Sequence, residues 1–178
     1  YLKNYPEKFV FIDVGANKGL YSILAAKNSS CEKVVSFEPI RSTFDYLKKN
    51  VSLNDISSKC VLHNFAISDR NGELEIAFNP NHSGTASLAV VNKISACSKS
   101  KIQTVNYELL KSLFAPIKSN YILKVDVEGF ESMVLMEIFK CDFSDFISSI
   151  FYEIDEKWEN PNVVEDLLRK VGFTRFEI

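Results

Sequence analysis

Val10-Phe11-Ile12-Asp13-Val14-Gly15-Ala16-Asn17-Lys18-Gly19 joins an apolar run to an acid and then to a loop punctuated by two glycines. A run rich in β-branched and aromatic residues suits the centre of a parallel sheet covered on both faces, where neither side of the strand needs polar side chains. Gly15 lets the backbone turn sharply and a ligand approach the main chain, and Gly19 permits close packing where Leu20-Tyr21-Ser22-Ile23-Leu24-Ala25-Ala26-Lys27 begins a helix. The stretch predicts a nucleotide-binding strand, loop and helix. A dinucleotide fingerprint G-x-G-x-x-G would put its second glycine, the one that makes room for a pyrophosphate, where this chain has Asn17. That difference favours a ligand without phosphates, such as a nucleoside with a charged side chain; S-adenosylmethionine is one.

Strand and helix signals alternate outward from this loop, the pattern of βαβ units in an α/β fold with a mostly parallel sheet and helices on both faces. Lys33-Val34-Val35-Ser36-Phe37-Glu38 is a second strand that ends in an acid and is stopped by Pro39. Glu38 stands about 20 residues beyond the glycine loop, the offset at which a carboxylate binds a ribose in dinucleotide folds; the alternative is an exposed strand-end glutamate. Ser42 followed by Asp45 reads as a capping box for a helix with Phe44, Leu47 and Val51 on one face. Cys60-Val61-Leu62-His63-Asn64-Phe65-Ala66-Ile67 reads as one continuous third strand. Within it His63 reads as a satisfied or edge histidine rather than a base, while Ala66 and Ile67 offer backbone N–H and an apolar wall to an adenine ring. Asp69 shapes the turn that follows.

Between Glu73 and Val105 the pattern changes. Glu73-Leu74-Glu75-Ile76-Ala77-Phe78 alternates polar and apolar, which predicts a small β insertion with one face wet. The polar segment 79–87 reads as a mobile loop, in which His82, Ser83 and Thr85 either meet a hydroxylated ligand or belong to a solvated linker. Tyr121-Ile122-Leu123-Lys124-Val125-Asp126-Val127-Glu128-Gly129 predicts a strand ended by Gly129, with Lys124, Asp126 and Glu128 sharing one face. Three charges on a core strand must pair or serve a ligand, because burying an unpaired charge is expensive. The next strand, 146–153, again ends in an acid, Glu153. Asn160-Pro161 starts a helix with Val164, Leu167, Leu168 and Val171 inward, and 174–178 reads as a last strand.

At 178 residues with 46% hydrophobic content, the chain has the size of one domain, 1–178, with a core of its own. A net charge of −2 gives no global attraction to nucleic acid or anionic membrane. Cys31, Cys60, Cys97 and Cys141 are widely spaced and lack the pattern of a zinc site. They suit thiols in a reducing, cytoplasmic setting, and no apolar run is long enough to span a bilayer. The chain begins at Tyr1 rather than Met, which leaves room for an upstream segment.

Four stretches in this order resemble the FkbM family of S-adenosylmethionine-dependent methyltransferases: Asp13-Val14-Gly15-Ala16-Asn17-Lys18-Gly19, Phe37-Glu38-Pro39, Ala66-Ile67-Ser68-Asp69 with Gly72, and Lys124-Val125-Asp126-Val127-Glu128-Gly129-Phe130-Glu131. The resemblance covers nearly the whole chain. It implies a class I methyltransferase (Rossmann-like) fold and methyl transfer to a hydroxyl of a sugar or other small hydroxylated metabolite. By motif match, Gly15, Asn17 and Gly19 line the methionine end of the cofactor, Glu38 the ribose, and Ala66 and Ile67 the adenine; Asp13 is counted among the cofactor-binding residues, and Asp126 is expected by the methionine amino group or the acceptor. Glu128 is the candidate to accept the hydroxyl proton, with Glu153 and Lys124 as helpers. Asp126, Glu128 and Glu153 could instead hold a magnesium ion. The resemblance also implies a seventh, antiparallel strand, which the chain is expected to lack because it stops at a candidate sixth. A nicotinamide-dependent oxidoreductase and a non-catalytic nucleoside-binding domain are the rival readings.

Overall fold

The computed structural model describes residues 2–79, 82–87, 98–114, 119–154 and 160–177. Strands β1 (Phe9–Val14), β2 (Cys31–Phe37) and β3 (Cys60–His63) alternate with helices α1 (Leu20–Ala26) and α2 (Arg41–Leu53). The chain then leaves this sheet to form β4 (Ala66–Ile67), β5 (Gly72–Asn79), β6 (His82–Ser87) and β7 (Ser98–Val105), and returns through α3 (Tyr107–Leu113). Strand β8 (Asn120–Val125), α4 (Glu131–Ile138), β9 (Ile147–Tyr152) and α5 (Pro161–Lys170) complete the order. Five strands form one sheet in the order β3-β2-β1-β8-β9, every pair parallel. A second sheet runs β4-β7-β5-β6.

All six residues of β1 are buried, as the unbroken apolar run requires of a strand covered on both faces. One apolar layer joins Val10, Ile12 and Val14 to Leu123 and Val125 of β8 and to Val134, Leu135 and Ile138 of α4. The opposite layer joins Phe9 and Phe11 to Leu47 and Val51 of α2. Among the described residues no helix is long and apolar enough to cross a membrane, and Cys31, Cys60 and Cys141 are free thiols.

The structure corrects the sequence reading in six places. The third strand breaks after His63, and Ala66–Ile67 pairs with β7 in the second sheet rather than continuing in the first. Helix α2 begins at Arg41 with Ile40 as its cap and no side-chain cap bond, because the Glu38 carboxylate already accepts the Ile40 N–H at 2.9 Å; Asp45 instead meets Arg41 and Lys48 on the surface. Residues 82–87, read as loop, form β6 antiparallel to β5; residues 80, 81 and 88–97 lie outside the described part. Strand β8 ends at Val125, not at Gly129. Val171 is exposed, whereas Val164 and Leu168 turn inward. Residues 173–177 carry no strand.

Candidate active site

The carboxyl ends of the parallel strands and the second sheet enclose a cavity of about 330 Å³, within the range of small-molecule clefts. Its floor carries Gly15 and Asn17 from the loop after β1, Glu38 at the end of β2, Asp126 and Glu128 from the loop after β8, and Glu153 after β9. Its roof is apolar: Leu74 and Ile76 of β5 and Ile102 of β7 project from one face, with Leu74 directly opposite Ile102. Ile40, Phe65, Phe130 and Met133 close the sides. Among the described residues, four acids and no Lys, Arg or His line it.

The glycine turn exists because two loops meet there. Gly15 has φ +75°, and a Cβ on it would lie within 2.9 Å of the Asp126 carbonyl carbon and closer still to its oxygen. Gly15 and Ala16 donate their N–H groups to the Phe37 carbonyl, and Asp126 donates its own to Val14, so the ends of β1, β2 and β8 are tied together beneath the cavity. Gly19, at φ +90°, caps α1 with its Cα against Leu47 of α2. Its role is helix packing, and it does not line the cavity.

Glu38 is buried, and its two oxygens accept the main-chain N–H groups of Asn17 at 3.0 Å and Ile40 at 2.9 Å. Burial pushes this carboxyl up to about 7, the two N–H bonds opposing the rise only partly. Asp13 lies under the floor, fully buried, and does not line the cavity. The Ser22 hydroxyl donates to it at 2.5 Å, and the Lys124 ammonium stands 3.6 Å away. Desolvation raises its pKa against the pull of Lys124. Lys124 reaches Asp126 at 3.1 Å and the Gly15 carbonyl at 3.3 Å. One buried ammonium thus serves two carboxylates, the pairing that a buried charge requires.

The family model of the methyltransferase FkbM domain matches residues 13–174, nearly the whole chain. The chain belongs to the FkbM methyltransferase family. It is 26% identical over 201 residues to Methyltransferase sdnD of Sordaria araneosa, covering 97% of this chain and 76% of that protein. To Methyltransferase 1 of Beauveria bassiana it is 23% identical over 185 residues, covering 95% and 74%. Among solved structures it resembles methyltransferase FkbM from Methylobacillus flagellatus (TM-score 0.55, 16% identity, 93% of this chain), of which it spans only 36%. It also resembles a precorrin-6y C5,15-methyltransferase from Geobacter metallireducens (TM-score 0.52, 13% identity, 97% of this chain and 67% of the other). At these identities the structural likeness establishes the class I, Rossmann-like fold.

For this FkbM chain, the cavity brings together Gly15, Asn17, Glu38, Ala66, Ile67, Asp126, Glu128 and Glu153 of the residues read from sequence, and leaves Asp13 and Gly19 outside its lining. The acids of the β8 motif do not share a strand face. The strand ends first, and Glu128 enters the left-handed region at φ 54° before Gly129 at φ 97°. Asp126, Glu128 and Glu153 line one cavity without forming a metal centre: among the described residues no group of three His, Cys, Asp or Glu could hold an ion. Sequence reading did not place the roof residues at the cavity, although the Leu74 and Ile76 alternation carried the signal. Phe130 and Met133 border the cavity as well. His63 lies outside it, stacked on Phe37 at 5.1 Å; burial, aided by Lys33, lowers its pKa.

Proposed function

We propose that this FkbM chain is an S-adenosylmethionine-dependent methyltransferase acting on a hydroxyl of a sugar or other small hydroxylated metabolite. The observation that carries the reading is a single cavity with an acid at the carboxyl end of each of three parallel strands and an apolar roof over them. That donor set suits the cofactor: apolar walls accept a flat adenine, the buried Glu38 carboxylate accepts ribose hydroxyls, and Asp126 attracts an ammonium. The same acids repel a pyrophosphate, which counts against a dinucleotide.

When bound, the cofactor would supply an electrophilic methyl group, its sulfonium sulfur keeping the electron pair of the broken sulfur–methyl bond and becoming a neutral thioether. Glu128, half-buried on the cavity floor, takes the proton of the acceptor hydroxyl as the hydroxyl oxygen bonds to the methyl carbon. Glu153, more exposed at the end of β9, orients that hydroxyl. The roof residues exclude water from the reacting pair, and the rigid floor aligns it, which is the larger part of the catalysis in a displacement of this kind.

Calorimetric titration with S-adenosylmethionine and with NADH, followed by transfer of a labelled methyl group to a panel of glycosides and phenols, tests the reading. The expected result is binding of S-adenosylmethionine alone, and turnover that falls by about 10² or more in Glu128→Gln. Binding of NADH without S-adenosylmethionine would overturn it. Cofactor binding with no transfer to any acceptor would make this a binding domain.

A further inference from the structure

Glu131 is the first residue of α4, is fully buried and does not line the cavity. It closes the motif that carries Asp126 and Glu128, yet the chemistry above gives it no part. Its carboxylate accepts the main-chain N–H of Val127 at 3.1 Å, and that of Gly129 at 3.2 Å on one oxygen and 3.1 Å on the other. Between those two donors sits Glu128, at a positive φ that residues with a Cβ rarely adopt. A turn of this shape persists only where its surroundings over-determine it. Charge-assisted bonds to successive N–H groups supply that restraint, and the start of a helix favours the negative charge.

We propose that Glu131 is a positioning residue, whose buried carboxylate gathers the Val127 and Gly129 N–H groups and so fixes where the loop presents Asp126 and Glu128. What the loop holds rests on the methyltransferase reading above; the clamp itself rests on the hydrogen bonds. Through the Asp126 carbonyl, packed against Gly15, the same clamp governs the glycine turn on the far side of the cavity floor.

Glu131→Gln tests this, with Glu137→Gln as a matched control. Glu137 is equally hidden on the same helix, but its carboxylate accepts the Tyr107 N–H at 2.8 Å, away from the cavity. Both variants lose a buried charge-assisted bond and both melt earlier. Glu131→Gln alone is expected to speed amide exchange at Val127 and Gly129 by about tenfold or more, and to weaken S-adenosylmethionine by a similar factor well below its melting temperature. Glu137→Gln is expected to stay within about twofold of wild type in both measurements. Glu131→Asp, which keeps the charge but draws it back by one methylene, replaces the glutamine variant if that one does not fold, with the same expectations. Unchanged exchange at the two amides, or equal weakening of the cofactor by the Glu131 and Glu137 variants, overturns the proposal. A wild type that binds no S-adenosylmethionine brings down the methyltransferase reading instead, and the exchange rates then decide the clamp alone.

Discussion

Replacing Gly15 by alanine should damage this protein more than its single added methyl group suggests. The backbone at position 15 has φ +75°, where an L side chain costs about 1–2 kcal/mol. The new Cβ would also sit within 2.9 Å of the Asp126 carbonyl carbon and nearer still to its oxygen, against backbone that no rotamer change can clear. Relief requires β1 and the loop after β8 to part, which stretches the Asp126 N–H bond to Val14 and loosens the paired Gly15 and Ala16 bonds to Phe37. Strain and weakened bonds together give about 3–5 kcal/mol, equivalent to a fall in Tm of about 6–20 °C in a chain of this size. Gly172→Ala is the control: φ is +105°, and no atom lies within 4 Å of the added Cβ, so it bears the conformational penalty alone. Thermal melts followed by circular dichroism should place Gly15→Ala well below Gly172→Ala, with S-adenosylmethionine binding lost in the former. Equal Tm values for the two would refute the claim that the glycine is demanded by the contact with Asp126.

Glu38 should make stability fall as pH rises. Folded, its carboxyl titrates at about 7 rather than at its ordinary 4.5, so the native state holds a proton that the unfolded chain has already released. Its contribution is full below about pH 4.5 and declines through about pH 7 by at most about 3 kcal/mol; Tm measured against pH should flatten over this window in Glu38→Gln, and an unchanged slope would exclude Glu38 as its source. Lys124→Met should destabilise by about 3–5 kcal/mol at neutral pH by stranding Asp13 and Asp126 without their ammonium. Because burial raises the Asp13 pKa, the loss should shrink as the pH falls and Asp13 takes up a proton; a deficit independent of pH would show that the lysine acts by packing.

The sheet was legible where burial is complete. A strand covered on both faces must be apolar throughout, so β1 and the apolar body of β8 announce themselves, and the glycine loop between β1 and α1 follows from chain geometry. The ends were less legible, because they are set by partners distant in sequence. Nothing local shows that Glu131 would fold the backbone after Val125 into a turn and take Asp126 and Glu128 out of the strand. The second sheet was half visible: β5 alternates cleanly, but His82–Ser87 has the composition of a turn and pairs only because β5 offers an edge. The capping box failed for a related reason, since Glu38, outside the helix, had already taken the N–H at its start. Asp13, read as a ligand contact, is instead part of the foundation, a distinction that depends on depth rather than on spacing.

The cavity lies on a seam, its floor belonging to one hydrogen-bonded sheet and its roof to another. A ligand there fills the gap between an acid-bearing floor and an apolar roof and acts as mortar between them, so occupancy and cohesion are one equilibrium seen from two sides. By mass action, a ligand at 100 times its dissociation constant adds about 2.7 kcal/mol to folding. The seam therefore turns this protein into its own sensor: compounds that belong in the cavity can be found by the temperature at which the two sheets come apart, before any product is known.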